Sequence, residues 1–311
     1  MSNLPNALRA TLNERCTLYT TSVAEARDSC DGTRKLLVAL CDGEAVETVV
    51  IPEGRRRTAC ISTQVGCAVR CAFCASGLCG WVRNLSAGEI VEQALHARRE
   101  ARSQGGLTNV VVMGIGEPLA NYDALVRALR ILAAPWGMAL SPRRITVSTV
   151  GLPSRIRRLA GEGLDVNLAV SLHAADDLTR RRLIPRARPL REVVCAARHY
   201  LRTTGREVTF EYVVIKDVND SPTDARGLAE LVGKEDILVN LLAVNRVAGL
   251  PWEKPPEGRV ERFMAELRRR GVRVQQRRRR GADIEGACGQ LRHRRRSRTP
   301  DETPDGSDSY A

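Results

Sequence analysis

Apolar positions change their period several times along the 311-residue chain, and each change marks an element. Two β-rich runs, LLVAL and AVETVVI within residues 36–51, flank Asp42-Gly43, a pair suited to a tight hairpin turn. TACISTQVG reads as a strand that runs into a cysteine-rich loop. Ser86-Ala-Gly-Glu89 is a capping box, and behind it Ile90, Val91, Ala94 and Leu95 recur on one helical face. NVVVMG is a buried strand, followed by a helix over 122–133. RRITVSTVG, DVNLAVSLH, EVTFEYVVI and ILVNLLAV are further strands, each separated from the next by a helix. Val260, Phe263, Met264 and Leu267 stripe a last long helix that Gly271 stops, and VRVQQRR is a final strand.

These β-branched runs show little polar alternation, so the strands are expected to be buried on both faces of a parallel sheet. Repeated right-handed crossovers then give an α/β barrel, open or closed. Residues 1–34 are polar, with a short helix at LPNALRATLNE at most, and residues 293–311 read as a disordered, basic tail. The expected division is therefore a short N-terminal region at 1–34, a core at 35–292 and a tail at 293–311.

Charge adds a partner to this picture. Lys and Arg number 49 against 36 Asp and Glu, a formal net charge of +13. Clustered cations suit a polyanion, because neutralised phosphates release counterions. A basic tail on a neutral enzyme would also raise the balance, but arginine runs at 55–57, 180–182 and 277–280 lie within the expected core. No apolar run approaches the ~20 residues of a membrane span, and MSNLPNALRATLNERC has no apolar signal core. A cytoplasmic protein without a membrane partner is expected.

The ten cysteines point away from a disulfide framework in so long a chain, and four of them crowd into residues 67–79. Cys67, Cys71 and Cys74 have the spacing C-x3-C-x2-C. Three thiolates on one tight loop suit three irons of a [4Fe–4S] cluster, with the fourth left open to S-adenosylmethionine (SAM). A zinc knuckle is the competing reading and would need a fourth ligand such as Cys79. Downstream, Gly114-Ile-Gly116-Glu117-Pro118 follows a strand, and this turn resembles the one after the second strand of radical SAM barrels. The fold expected is thus α/β, a partial (β/α)6-type radical SAM barrel with an N-terminal β-hairpin extension.

CISTQVGCAVRCAFCASG, NVVVMGIGEPLANYD, RRITVSTVG, LAVSLHAADD, EYVVIKDVND and IEGACGQLR together resemble the RlmN/Cfr family of radical SAM adenosine methyltransferases, over about residues 34–292. The resemblance implies that Gly116, Glu117, Ser148, Ser171, Leu172, His173 and Asn245 bind SAM. It implies that Cys288 is methylated and carries the methyl group, that Cys60 is its redox partner, and that Glu47 accepts a proton. It further implies two SAM molecules per turnover, methylation at adenine C2 of ribosomal RNA or also transfer RNA, a reductant such as flavodoxin, and a monomer. C8 methylation, a different radical SAM substrate, or a cluster-bearing RNA-binding or redox-sensing protein are the alternatives. The family's N-terminal accessory domain is expected to be largely missing, and RVAGLPWEKPP after Asn245 departs from the family's pattern.

Overall fold

The computed structural model describes residues 4–17, 19–78, 80–102, 105–247, 249–277, 280–281 and 283–284. The chain begins with helix α1 (Asn6–Arg15), then runs β1 (Ser22–Asp28), β2 (Arg34–Ala39), β3 (Ala45–Glu53) and β4 (Arg56–Cys60). These four pair antiparallel in order, with Gly43 at a φ of 85° in the β2–β3 turn. From β4 onward the sheet is parallel through β7 (Asn109–Val112), β8 (Ile145–Thr149), β9 (Asn167–Ser171), β10 (Val208–Val214), β11 (Leu238–Ala243) and β12 (Val274–Gln276). A separate hairpin of β5 (Gln64–Gly66) and β6 (Trp81–Asn84) brackets the cysteine loop and the single turn α2 (Ala75–Leu78).

Helices α3 (Ala87–Glu100), α4 (Tyr122–Ala133), α5 (Pro153–Ala160), α7 (Leu190–Thr204), α8 (Pro222–Val232) and α9 (Glu257–Arg269) bury apolar stripes against this sheet. The expected capping box is formed: the Ser86 hydroxyl accepts from the Glu89 amide and the Glu89 carboxylate from the Ser86 amide. Short α6 (Asp177–Leu183) is the exception, packing on the cysteine loop instead.

The strands do alternate, contrary to the expectation of two apolar faces. Leu36, Val46, Ala59, Val110, Val147, Val170, Phe210 and Val239 face the helix-side core. Their neighbours point the other way, since successive side chains of a strand take opposite faces. That second face carries Lys35, Glu47, Cys60, Ser148, Ser171, Glu211 and Asn240. The N-terminal region also differs from expectation. Residues 22–28, read as polar and irregular, form β1, an edge strand held by its ladder to β2. No helix among the described residues is long and apolar enough to cross a membrane.

Candidate active site

The cysteine loop is anchored through its backbone. The Cys67 amide donates to the Gly80 carbonyl at 2.8 Å, the Ala72 amide to Leu183 at 2.9 Å, and Trp252 Nε1 to the Ala72 carbonyl at 2.7 Å. Gly66 has a φ of 79°, and a Cβ there would stand 1.9 Å from the Gly80 oxygen. The loop thus lies closer to β6 than any side chain at 66 would allow. Val69, Leu183, Ile184, Val213, Ile215 and Val244 form the apolar floor against which Cys67, Cys71 and Phe73 pack.

Burial pushes the Cys67 thiol up to about 12, reinforced by the neighbouring Cys74 and Glu117 charges. It raises Cys71 well above its ordinary value too, with Cys74, Cys67 and Glu117 adding to the shift. The three thiols are therefore electrostatic neighbours. Yet no three His, Cys, Asp or Glu side chains among the described residues converge on a single metal ion. A zinc ion needs such convergence, whereas a cubane cluster spreads three thiolates over three irons. The donor set fits the cluster better. Cys79, the candidate fourth zinc ligand, lies outside the described residues.

Glu117 sits at the rim formed by the ends of β7 and β8. Its carboxylate accepts from the Leu119 amide at 3.0 Å and the Val150 amide at 2.8 Å, while its own amide donates to Gln64 Oε1. Burial raises its pKa, and the Val150 and Leu119 amides with the Thr149 hydroxyl work against that rise. Gly116, at a φ of 108°, passes so close to Gln64 that a Cβ would lie 2.7 Å from that side chain. Ser148 and Ser171 are half-buried on the face away from the helices, and Asn245 is half-buried just past β11.

His173 and Leu172 contribute differently from one another. The Leu172 side chain is fully buried in the core, and its backbone amide donates to the Glu211 carbonyl. His173 has a φ of 60°, stands edge-on to Phe73 at 5.0 Å, and accepts from the Val213 amide through Nδ1. Burial, helped by the Arg180 charge, lowers its pKa to about 3. The ring is thus neutral, with Nδ1 occupied as an acceptor and the proton on Nε2.

Glu47 is only 2% exposed and lies 2.8 Å from the ammonium of Lys35, itself fully buried on β2. Its backbone carbonyl accepts from the Ser62 hydroxyl at 2.7 Å. Cys60 is buried two residues before Ser62 and pairs with Val49 in the ladder. Cys288 lies outside the described residues. The segment leading to it crosses from β12 to the β1–β2 turn. The Arg277 amide donates to the Leu241 carbonyl, and its guanidinium reaches the Met113 sulfur at 3.6 Å. Beyond it, the Gly281 amide donates to Asp31, and Asp283 accepts from the Ser29 hydroxyl and the Cys30 amide.

Two groups escaped the sequence reading. Glu211 and Asn240 form one register row with Ser171 and Gln275, and Asn240 Nδ2 donates to the Glu211 carboxylate at 2.8 Å. A lone Glu inside FEYVV was the available signal. The arginine run at 180–182 also divides: Arg180 is fully buried, whereas Arg181 and Arg182 are exposed. Arg55 and Arg56 lie at the β3–β4 turn, the opposite end of β4 from Cys60.

Residues 61–226 match the Radical SAM superfamily. A probable dual-specificity RNA methyltransferase RlmN of Rhodopirellula baltica is 45% identical over 297 residues, spanning 95% of this chain and 80% of that protein. The protein of the same description from Thermotoga neapolitana is 46% identical over 304 residues, 96% of this chain and 88% of its own length. The crystal structure of a radical SAM methyltransferase from Sphaerobacter thermophilus superposes with a TM-score of 0.90 at 47% identity, covering 93% of this chain and 86% of that one.

Proposed function

This chain belongs to the RlmN family of radical SAM enzymes, and from that premise we propose that it methylates C2 of an adenosine in RNA, with ribosomal RNA as one substrate and transfer RNA as a second. The observation that carries the reading is the placement of Glu47, Cys60, Ser148 and Ser171 on one sheet face, beside a loop of three neighbouring thiols.

Cys67, Cys71 and Cys74 would hold a [4Fe–4S] cluster, whose binding would release the protons that burial favours on Cys67 and Cys71. When bound, the cluster supplies the electron for the SAM cleavage that attack on an unreactive amidine carbon requires. The rim of Gly116, Glu117, Ser148, Ser171, Leu172, His173 and Asn245 receives SAM, presenting carboxylate, hydroxyl and backbone groups. Cys288 would serve as the thiolate nucleophile that accepts a methyl group from one SAM, and a second SAM would supply the radical chemistry. Glu47 takes up the ring proton. The Lys35 ammonium, 2.8 Å away, holds its carboxylate in place. With the transferred carbon bridging the Cys288 sulfur and adenine, Cys60 would attack that sulfur, breaking its bond to the carbon and forming a Cys60–Cys288 disulfide, while the departing carbon gains a proton and leaves as the methyl group of the base. A flavodoxin-type electron donor and a monomeric enzyme complete the proposal.

The test begins with Cys60→Ala. This variant should run the early steps and stall, accumulating a covalent protein–RNA adduct that maps to Cys288. Cys288→Ala should give neither adduct nor product while still binding iron. Nuclease digestion and mass spectrometry of RNA treated with the unaltered enzyme should yield 2-methyladenosine. An 8-methyl product would move the reading to the other ring carbon. Normal turnover by Cys60→Ala, or an adduct on another cysteine, would remove the methyl-cysteine route.

A further inference from the structure

Arg180 is an arginine with 0% exposure on a seven-residue helix. Burying a guanidinium without an anion is costly, because water is replaced by a medium that solvates charge poorly. Most such residues are matched by a carboxylate. Among the described residues Arg180 has none within an ion pair. Its Nη1 and Nη2 donate to the carbonyls of Leu172 and Val150, and its Nε is buried with no hydrogen-bond partner. The one carboxylate whose charge reaches it, Asp177, accepts from the Leu190 amide at 2.8 Å. The other group whose charge reaches it is Cys71.

The position is specific. Leu172 and Val150 follow β9 and β8 at the cofactor rim, and Val150 also donates its amide to Glu117. Leu183, at the end of the same helix, accepts from Ala72 inside the cysteine loop. The arginine is therefore held by two strand-end carbonyls on a helix that is itself bonded to the cysteine loop.

We propose that Arg180 is the buried counter-cation of the iron–sulfur site, a positioning residue whose charge is matched only when the cluster is bound and whose field favours the reduced cluster. The inference rests on the cluster reading given above. Three thiolates outweigh the positive charge of the core they hold, and reduction adds one more negative charge. A fixed cation in a poorly solvating interior stabilises the reduced form more than the oxidised form. Arg181 and Arg182, exposed to water and salt, carry the same formal charge but lose most of its reach.

The experiment compares Arg180→Lys, Arg180→Gln and Arg180→Met with Arg181→Gln and Arg182→Gln in anaerobically reconstituted full-length protein. EPR-monitored redox titration is run without SAM and without RNA. Arg180→Gln and Arg180→Met should lower the reduced-to-oxidised ratio at a given ambient potential about tenfold, equivalent to ~59 mV for one electron. Arg180→Lys should stay within about threefold of the unaltered protein, and the exposed pair should titrate with it. A second readout uses the iron-free chains. Iron-free Arg180→Met should melt no lower than iron-free unaltered protein and should gain less stability on reconstitution.

Unshifted titrations in Arg180→Gln and Arg180→Met overturn the proposal. So does an unshifted potential accompanied by weakened SAM affinity, which would assign Arg180 to the cofactor's carboxylate. Failure of the iron-free Met and Gln variants to fold overturns it as well, because the arginine would then serve as a clamp on Val150 and Leu172. If the unaltered chain takes up no iron, the cluster reading itself fails, and that result is separate from any of these.

Discussion

On β2 and β3 the buried ammonium of Lys35 lies 2.8 Å from the buried carboxylate of Glu47, whereas at the ends of β8 and β9 the buried guanidinium of Arg180 meets only carbonyl oxygens. Glu117 in the same rim likewise has backbone amides and the Thr149 hydroxyl, and no arginine or lysine among the described residues. The antiparallel wing closes its charges within the protein, and the cofactor rim leaves them to be completed from outside. A region that must receive an anionic cluster and a zwitterionic cofactor can be stable when loaded only if it is electrostatically incomplete when empty. The Lys35–Glu47 pair, which the proposed function would use for one proton, has the opposite arrangement, with an opposite charge already in place.

The largest expected effect falls on the rim. Changing Cys67, Cys71 or Cys74 to Ala should take iron from about four per chain, the content of a cysteine-held cubane, to near zero by iron analysis and EPR. One tightly bound zinc and no iron would break the comparison, since the rim would then lack the anion that completes it.

The wing should respond through stability. Lys35→Met removes the ammonium that lies 2.8 Å from the buried Glu47 carboxylate, at a cost of about 3–5 kcal/mol in urea unfolding. Adding Glu47→Leu should recover most of that loss, because removing both charges also removes both desolvation penalties. A double variant no more stable than the single one would show that the pair is not mutually compensating.

The smallest effect concerns the crossing segment, where Asp31 accepts from the Gly281 amide and Asp283 from the Cys30 amide and the Ser29 hydroxyl. Burial opposes ionisation of Asp31, but bonds from the Gly281 amide, Thr33 and Ser29 outweigh it and hold the carboxyl well below its usual range. A depressed folded pKa contributes stability that is fully present above the unfolded value, ~3.9, and is lost as pH falls through the lower folded value. Hydrogen-exchange protection at Gly281, corrected for intrinsic exchange, should therefore weaken a few-fold as pH drops below about 4. In Asp31→Asn it should be lower throughout and flat over that range. Pronounced pH dependence in the Asn variant would place the titrating group elsewhere.

Much of this architecture was legible because it is local. Asp42-Gly43, the Ser86–Glu89 capping box, the helix at 122–133 and the stop at Gly271 each act within a few residues. The spacing of Cys67, Cys71 and Cys74 is local too. β1 was missed because SVAEARD is an exposed edge strand whose charges discourage further pairing. Nothing within the segment announces it; its ladder with β2 holds it. The same limit applied to charge. Lys35 and Glu47 are brought together by a ladder in which Leu37 faces Glu47, and neither residue advertises its partner. The arginines at 180–182 read as one solvated run, and only the packing of α6 on the cysteine loop separates a buried one from two exposed ones. Strand alternation was also hidden, since Ser148, Ser171 and Cys60 are small enough to pass for core residues.

The crossing segment joins positions far apart in the order of synthesis. Asp283 bonds Ser29 across 254 residues, and Gly281 bonds Asp31 across 250. At roughly 5–20 residues per second, a ribosome needs on the order of 10–50 s between making the one and the other. The cysteine loop and the parallel strands around it emerge within that interval. The loop and those strands can therefore fold before residues 281 and 283 reach the β1–β2 turn.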